Sequence, residues 1–320
     1  MRALVIGGGG FVGNYLVRHL LEEGDTVIAT TNTGRESLDG CEAYDLDITD
    51  AQATAELIQK VCPEVVYHLA AIAFVPQAES DFPLALSVNV AGTSNVARAC
   101  SMLGTCPGFL FVSSAEVYGQ VQASELPIRE DNVLRPANNY SLSKRMAELV
   151  VDRYDRQGHI RSCVVRPFNH IGPGQDSRFV ASNFALQLAR VAHGLTSPIL
   201  EVGSLEARRD FSDVRDIVRA YRALAIKERG TFNLGSGKAV AIKDLLDALI
   251  EISGVKVEIR QDPARMRGPE VLELYGTNEK ATAACGWRPS ISFRESLKDV
   301  YQFWFDRIAS EQLVAAKASS

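Results

Sequence analysis

Short apolar runs alternate with amphipathic stretches through the first half of the chain. Arg2–Ile6 is apolar and stops at a run of glycines. Residues 11–23 carry Val12, Leu16 and Leu20 at helical spacing and end near Gly24. Residues 26–30 read as a strand, Ala51–Val61 as a helix with Asp50 as its cap, and 64–69 as a strand. A long helix is predicted over 83–103, an apolar strand over 108–113, a helix over 138–156 that stops near Gly158, and a strand over 160–166. Strands alternating with helices predict parallel pairing through right-handed crossovers. Runs such as Phe109 to Val112 and Val164–Val165 are apolar at successive positions, so helices are expected on both faces of the sheet.

The texture changes after Arg166. Residues 167–174 hold Pro, Asn, His and Gly and read as a loop at the carboxyl end of a strand, where α/β folds bind ligands. Shorter elements follow: a helix over 213–227, a strand at Gly230–Leu234, a helix over 241–252, a strand over 256–260 and a terminal helix over 291–308. The tail 314–320 is expected to fray. No internal repeat or low-complexity linker is present. The fold class expected is α/β, a doubly wound parallel sheet with a smaller mixed α/β lobe.

Composition narrows the class. The 320 residues are 46% hydrophobic and 23% charged with a formal net charge of −5, as in ordinary globular proteins, and no Lys/Arg-rich run is present, which argues against nucleic acid as a partner. Six cysteines, Cys41, Cys62, Cys100, Cys106, Cys163 and Cys285, include no C-x-x-C pair and no zinc spacing. They are expected to be buried reduced thiols, which places the chain in the cytoplasm and predicts no metal site. No stretch nears the ~20 apolar residues of a membrane span. The strand at the start leaves no room for a signal peptide, so Met1 is expected near the true start.

Chemistry enters at the glycines. Gly7, Gly10 and Gly13 form G-x-x-G-x-x-G between the first strand and the first helix. Such a loop brings the backbone close to a pyrophosphate and aims a helix start at it, the fingerprint of a Rossmann dinucleotide site. Residues 1–166, with 206–235 returning to them, are therefore expected to bind NAD(P), and 167–320 mainly to hold substrate. At the end of the second strand, Thr30-Thr31-Asn32 carry no carboxylate for the ribose hydroxyls. The gap leaves room for a 2′-phosphate that Arg35 would pair with, so NADPH is expected, or NADH alongside it. Asp45-Leu46-Asp47-Ile48 follows a third strand and has two readings, an acid for the adenine amino group or a solvated turn before the next helix.

Tyr140 and Lys144 are four apart on a helix, so they share a face. A free phenol near pKa ~10 exchanges protons poorly at neutral pH. A nearby ammonium and a cationic nicotinamide both favour its phenolate, which would make a general acid/base for ketone–alcohol chemistry. Ser114, just past the strand ending in Ser113-Ser114, has two readings: a donor to the reacting carbonyl oxygen or a serine satisfying a turn. Glu116 is either a base on a sugar C–H or a solvent-facing acid.

Together the loop Gly7 to Gly13, Tyr67-His68-Leu69-Ala70-Ala71, Asn89-Val90-Ala91-Gly92-Thr93, Ser113-Ser114 and Tyr140/Lys144 resemble an extended short-chain dehydrogenase/reductase over almost the whole chain. The blocks Arg166 to Gln175 and Val202 to Asp216 look like those of the GDP-4-keto-6-deoxy-D-mannose reductases and, a step less, of the GDP-mannose 4,6-dehydratases. The resemblance implies reduction of the 4-keto group to GDP-D-rhamnose, the proton coming from Tyr140 and the hydride from NADPH or NADH. A GDP-mannose 4,6-dehydratase, or a bifunctional enzyme, is the alternative, because a dehydratase uses a glutamate at the Glu116 position. Ser114, Glu116, Tyr140 and Lys144 would be catalytic. Cofactor contacts would fall on Gly7, Gly10, Phe11, Val12, Arg35, Asp47, Ile48, Leu69, Ala70, Ala71, Asn89, Tyr140, Lys144 and His170. Substrate contacts would fall on Ser114, Glu116, Asn169, Arg209, Arg267 and Glu270, with a GDP-sugar as partner. The resemblance also implies a homodimer formed through the helices over 83–103 and 138–156.

Overall fold

The computed structural model describes residues 1–32, 37–38, 40–263 and 272–318. Its strands are β1 (Arg2–Ile6), β2 (Thr26–Thr31), β3 (Ser37–Leu38), β4 (Cys41–Asp45), β5 (Val65–His68), β6 (Gly108–Val112), β7 (Arg161–Pro167), β8 (Asn169–Ile171), β9 (Ile199–Val202), β10 (Arg208–Asp213), β11 (Gly230–Leu234), β12 (Ala239–Ala241), β13 (Glu258–Gln261) and β14 (Glu273–Leu274). Its α-helices are α1 (Phe11–Glu22), α2 (Ala51–Val61), α3 (Val75–Ser80), α4 (Phe82–Ala85), α5 (Thr93–Ser101), α6 (Asn139–Arg156), α7 (Val180–Ala192), α8 (Val214–Lys227), α9 (Ile242–Ser253), α10 (Glu279–Cys285) and α11 (Phe293–Ala318). Two compact units result. Met1–Phe168, Arg215–Leu234 and Gly276–Arg288 form the first; Asn169–Val214, Gly235–Tyr275 and Pro289–Ser320 form the second.

The first unit is an eight-stranded sheet in the order β11-β7-β6-β5-β1-β2-β4-β3. Every pair is parallel except β3 with β4. Because successive side chains point to opposite faces, the apolar runs feed two cores. Ala3, Val5 and Leu110 join Leu16, Leu20, Ile217 and Tyr221 on the side of α1 and α8. Leu4, Ile6, Phe109 and Phe111 join Ile58, Val96, Ala147 and Val151 on the side of α2, α5 and α6. Burying a side chain of this size contributes roughly 1.5–3 kcal/mol, which is why these strands admit no polar alternation. Asp50 caps α2, accepting from the backbone N–H groups of Gln52 and Ala53.

The expected continuous α-helix over 83–103 is different in the structure. The chain enters at α4, passes through a π-helical segment at Leu86–Gly92 and resumes as α5. Within this segment the Asn89 side chain accepts from Ile72 N at 2.7 Å and donates to Ile72 O at 3.2 Å and to Ser143 Oγ at 2.9 Å. π-Helical turns of this kind gather at functional sites.

The second unit holds a small sheet in the order β12-β10-β14, with β8 also pairing β10, and the separate pair β13-β9. Helices α7, α9 and α11 cover its core through Phe184, Leu188, Leu245, Leu249, Leu297 and Val300. Residues 167–174 are therefore not all loop: Asn169–Ile171 form a strand, paired Phe211 with Asn169 and Ser212 with His170. The terminal helix continues to Ala318, past the point where fraying was expected. The thiols also depart from expectation. Cys41, Cys100 and Cys163 are buried, but Cys62 is exposed at the left-handed C-cap of α2, and Cys106 and Cys285 are half-buried.

Candidate active site

The strand order reverses at β1, which has β2 on one side and β5 on the other. Ligands of open α/β sheets bind outside the carboxyl ends of strands at such a switch point. Ile6 aligns with His68 and His68 with Phe111, so the segments that follow these strands emerge side by side: the glycine loop, Leu69 to Ala71, and Ser113-Ser114.

Gly7 has φ +87°, and a Cβ there would lie 2.7 Å from Ala70 N. A Cβ on Gly13 would run into the Gly7 carbonyl oxygen. The Gly7 N–H donates to Thr30 Oγ1 at 3.1 Å, and Gly10 N to Gly7 O at 3.1 Å. Gly10 is the N-cap of α1 and offers it no side-chain hydrogen bond. A helix start of this kind, reached through a glycine turn at the switch point of the sheet, is where α/β folds bind anions. Phe11 and Val12 are half-buried in its first turn. Leu69 N and Ala70 N both donate to Ile6 O, at 2.9 and 3.0 Å, which holds this second segment against the loop.

Asp47 is exposed, and its Oδ1 accepts from Thr49 N and Thr49 Oγ1 at 2.9 and 2.8 Å. Ile48 points into the core, and its carbonyl accepts from Asn95 at 2.9 Å. Asn89 is buried and its amide is taken up by Ile72 and Ser143, so it ties the segment after β5 to α6. Arg35, Arg267 and Glu270 lie outside the described residues.

Helix α6 starts at Asn138, whose side chain accepts from Ser141 N at 2.7 Å. This cap places Tyr140 and Lys144 on the buried face of the helix. Lys144 Nζ donates to Val112 O at 2.8 Å and lies 5.2 Å from the centre of the Phe111 ring. Burial brings its pKa down to about 8, against an upward pull from Glu148. Burial pushes the Tyr140 phenol up to about 12; the Ser114 hydroxyl beside it pulls the other way and Glu116 adds to the rise. In the protein alone, then, burial decides the state of this phenol rather than the Lys144 ammonium, and it stays protonated. Ser114 realises its turn reading as well, accepting from Glu116 N at 3.2 Å while it flanks Tyr140. Glu116 is half-buried in the short 3-10 turn Ala115–Tyr118.

Under this group sits His68, fully buried, with Nε2 2.9 Å from Thr93 Oγ1. Burial, with Lys144 second, pushes its pKa down to about 3. Thr93 Oγ1 donates to Asn89 O, so it accepts from His68, which is the neutral Nε2–H tautomer. In the second unit, Asn169 is exposed and His170 half-buried on β8, and Arg209 on β10 donates to Arg208 O at 2.9 Å. Three buried groups near the site have roles that the sequence reading did not assign: Thr30 as acceptor for Gly7, and Glu148 and Arg166 as an ion pair. Only Glu148 had a signal, its place one turn beyond Lys144.

Residues 4–300 match the family model described as GDP-mannose 4,6 dehydratase. The chain belongs to this family. A curated relative, the GDP-6-deoxy-D-mannose reductase of Pseudomonas aeruginosa, is 37% identical over 97% of the chain and 99% of its own length. The UDP-glucose 4-epimerase of Mycolicibacterium smegmatis is 30% identical over 95% of the chain and 98% of its own length. Among solved structures, RMD from Pseudomonas aeruginosa complexed with NADPH superposes with a TM-score of 0.86 at 34% identity, covering 96% of the chain and 100% of that structure. Membership of the GDP-mannose 4,6-dehydratase family accords with the Rossmann arrangement of the first unit. No helix among the described residues is long and apolar enough to cross a membrane.

Proposed function

We propose that this chain is an NAD(P)H-dependent oxidoreductase that reduces the 4-keto group of GDP-4-keto-6-deoxy-D-mannose to give GDP-D-rhamnose. The observation that carries the reading is the buried Tyr140 phenol beside Ser114, on the same buried face of α6 as Lys144, in a chain 37% identical to a GDP-6-deoxy-D-mannose reductase. A phenol that keeps its proton at neutral pH is in the state needed to donate it to an alkoxide forming from a ketone.

The residues present fit a dinucleotide. Gly10 at the start of α1 offers no side-chain cap, and among the described residues only the Gly7 carbonyl oxygen lies within 4 Å of where its Cβ would stand. Gly7, Gly10, Phe11 and Val12 would hold the pyrophosphate, and Leu69 to Ala71 and Lys144 the nicotinamide half. The reduced cofactor, when bound, supplies the hydride. Ser114 then orients the substrate carbonyl, Tyr140 Oη protonates its oxygen, and Lys144 supports the phenolate left behind. Thr31 and Asn32 leave space for a 2′-phosphate, which favours NADPH with Arg35 as its partner. Asn169, His170, Arg209, Arg267 and Glu270 are assigned to the sugar nucleotide and cofactor by resemblance, the second unit thereby serving the substrate.

The test is incubation with GDP-4-keto-6-deoxy-D-mannose and each reduced cofactor, with NMR of the product. Stoichiometric loss of cofactor and a rhamno product are expected; no loss with either cofactor overturns the reading. A second reading, dehydration of GDP-mannose, is favoured by Glu116, close enough to raise the Tyr140 pKa. It predicts conversion of GDP-mannose without net change in cofactor absorbance.

A cytoplasmic homodimer is part of the proposal. Leu142, Met146 and Leu149 stand exposed on α6 at helical spacing, with Leu84 exposed on α4. Such a stripe suits helix packing against a second copy. Light scattering should give a dimer for the chain and a monomer for Leu142→Glu/Leu149→Glu.

A further inference from the structure

Behind Tyr140 and Lys144 the first unit buries an ion pair that the chemistry above does not use. Glu148 and Arg166 are each at most 4% exposed. Their contact is two-pronged, Arg166 Nε to Glu148 Oε1 at 2.8 Å and Nη2 to Oε2 at 2.9 Å. Glu148 also accepts from Ser113 Oγ at 2.6 Å and from Arg145 Nη1 at 2.9 Å. Arg166 is completed by Tyr118, whose hydroxyl accepts from Nη1 at 3.0 Å and donates to Asn233 Oδ1 at 2.7 Å. Every prong is answered, as a buried charge requires.

Such a pair is a poor stabiliser in itself, since apolar residues of the same volume serve as well or better. Its connections point elsewhere. Helix α6 grips the end of β6 twice, Lys144 on the Val112 carbonyl and Glu148 on the Ser113 hydroxyl, and the next residue is Ser114. Arg166 fastens the same carboxylate to β7. We propose that Glu148, clamped by Arg166, is a positioning residue: it sets the register of Ser114 against Tyr140 and keeps a negative charge one turn from Lys144 so that the lysine stays an ammonium in a buried site. The reactive part of this claim rests on the reductase reading.

Among the described residues, few charged and titratable groups surround Lys144. His68 on β5 is neutral, Tyr140 on α6 is protonated, Glu116 lies in the turn after β6, and Arg166 and Arg145 bind the far side of Glu148. Glu148 is the group that draws the Lys144 pKa upward. Taking the carboxylate away should therefore let burial lower it further.

Glu148→Gln alone strands a buried guanidinium and is expected to unfold much of the protein. Glu148→Gln/Arg166→Met removes both charges, keeps an acceptor for Ser113, and leaves Tyr118 bonded to Asn233. In this double variant, folded by circular dichroism, NMR of isotope-labelled lysine side chains follows Lys144, identified by the signal lost in Lys144→Met. Against Arg166→Met, which keeps the carboxylate beside Lys144, its titration midpoint should be about one pH unit lower, and at about pH 9, above both midpoints, kcat on the keto sugar should be about tenfold lower, with KM changed less than about threefold. An unchanged midpoint, or an unchanged kcat, overturns the proposal; a purely structural pair would lower the melting temperature and move neither. Should the unaltered protein fail to reduce the keto sugar, the reductase reading falls while the Lys144 midpoint still decides the role of Glu148.

Discussion

Lys144 Nζ and the carbonyl oxygen of Val112 stand 2.8 Å apart, and this bond joins the helix bearing Tyr140 to the strand that leads into Ser114. The lysine has a geometric as well as an electrostatic role. Lys144→Met keeps the unbranched apolar stem, one atom shorter, and loses both. It should lower kcat for keto-sugar reduction about 100- to 10,000-fold, the range for loss of acid–base support. Reduced cofactor should still bind through the glycine loop. Cofactor fluorescence titration beside steady-state kinetics checks this, and a variant with more than about a third of the original kcat would sink the assignment.

The pH dependence of the reaction follows from the same pair. Reduction needs Tyr140 protonated and Lys144 charged. Burial holds the phenol up at about 12, so it does not limit the rate near neutrality. Lys144, brought down by burial to about 8, loses its proton first. In the free protein kcat/KM should fall as pH rises through about 8, and the limb should be absent at lower pH. A rate profile flat to pH ~10 would show that the ammonium is not needed.

Much of this site was legible from residue spacing because its parts are local. The glycine loop, Ser113-Ser114 and the Tyr140/Lys144 pair each sit at a strand end or on one helix face, and short apolar runs bounded by glycine mark the strands of the first unit. What escaped depends on contacts made far along the chain. The π-helical segment at Leu86–Gly92 holds Asn89, which bonds to Ile72 and Ser143, and no periodicity carries the signal of those contacts. β8 read as a loop because Asn169 and His170 have little strand preference; its partner β10 supplies the hydrogen bonds. The pairing of Glu148 with Arg166 carries no signal in the spacing, because its partners come from α6, the end of β6, β7 and the turn at Tyr118.

The glycine loop can be tested without catalysis. At Gly13 a Cβ would meet the Gly7 carbonyl oxygen and stand 2.7 Å from Gly8 Cα, both backbone atoms that cannot swing aside. Gly13→Ala should cost about 2 kcal/mol or more of stability and weaken cofactor binding by distorting the turn. Gly24, with φ +79° and nothing among the described residues within 4 Å of a Cβ, is the control. Gly24→Ala should lose about 1 kcal/mol from backbone strain alone and bind cofactor as before. Equal cofactor affinity in the two variants would separate the loop from the dinucleotide.

His68 gives the protein an acid sensitivity of its own. Its pKa is pushed down to about 3 from the ordinary 6.5, first by burial and then by Lys144. Between those values the unfolded chain takes up a proton that the folded chain refuses, so stability is lost as pH falls from 6.5 toward about 3. The loss from one such group is at most about 1.4 kcal/mol per pH unit. His68→Gln can keep a donor to Thr93 and has nothing to titrate. Carboxylates that bind arginines, such as Glu148 and Asp25, protonate in both proteins at the acid end and cancel in the comparison. The melting temperature of the unaltered protein should therefore fall more steeply than that of the variant as pH is lowered below 6.5. Parallel curves would mean that His68 takes up a proton in the fold as readily as in the unfolded chain, and the acid sensitivity would not be its own.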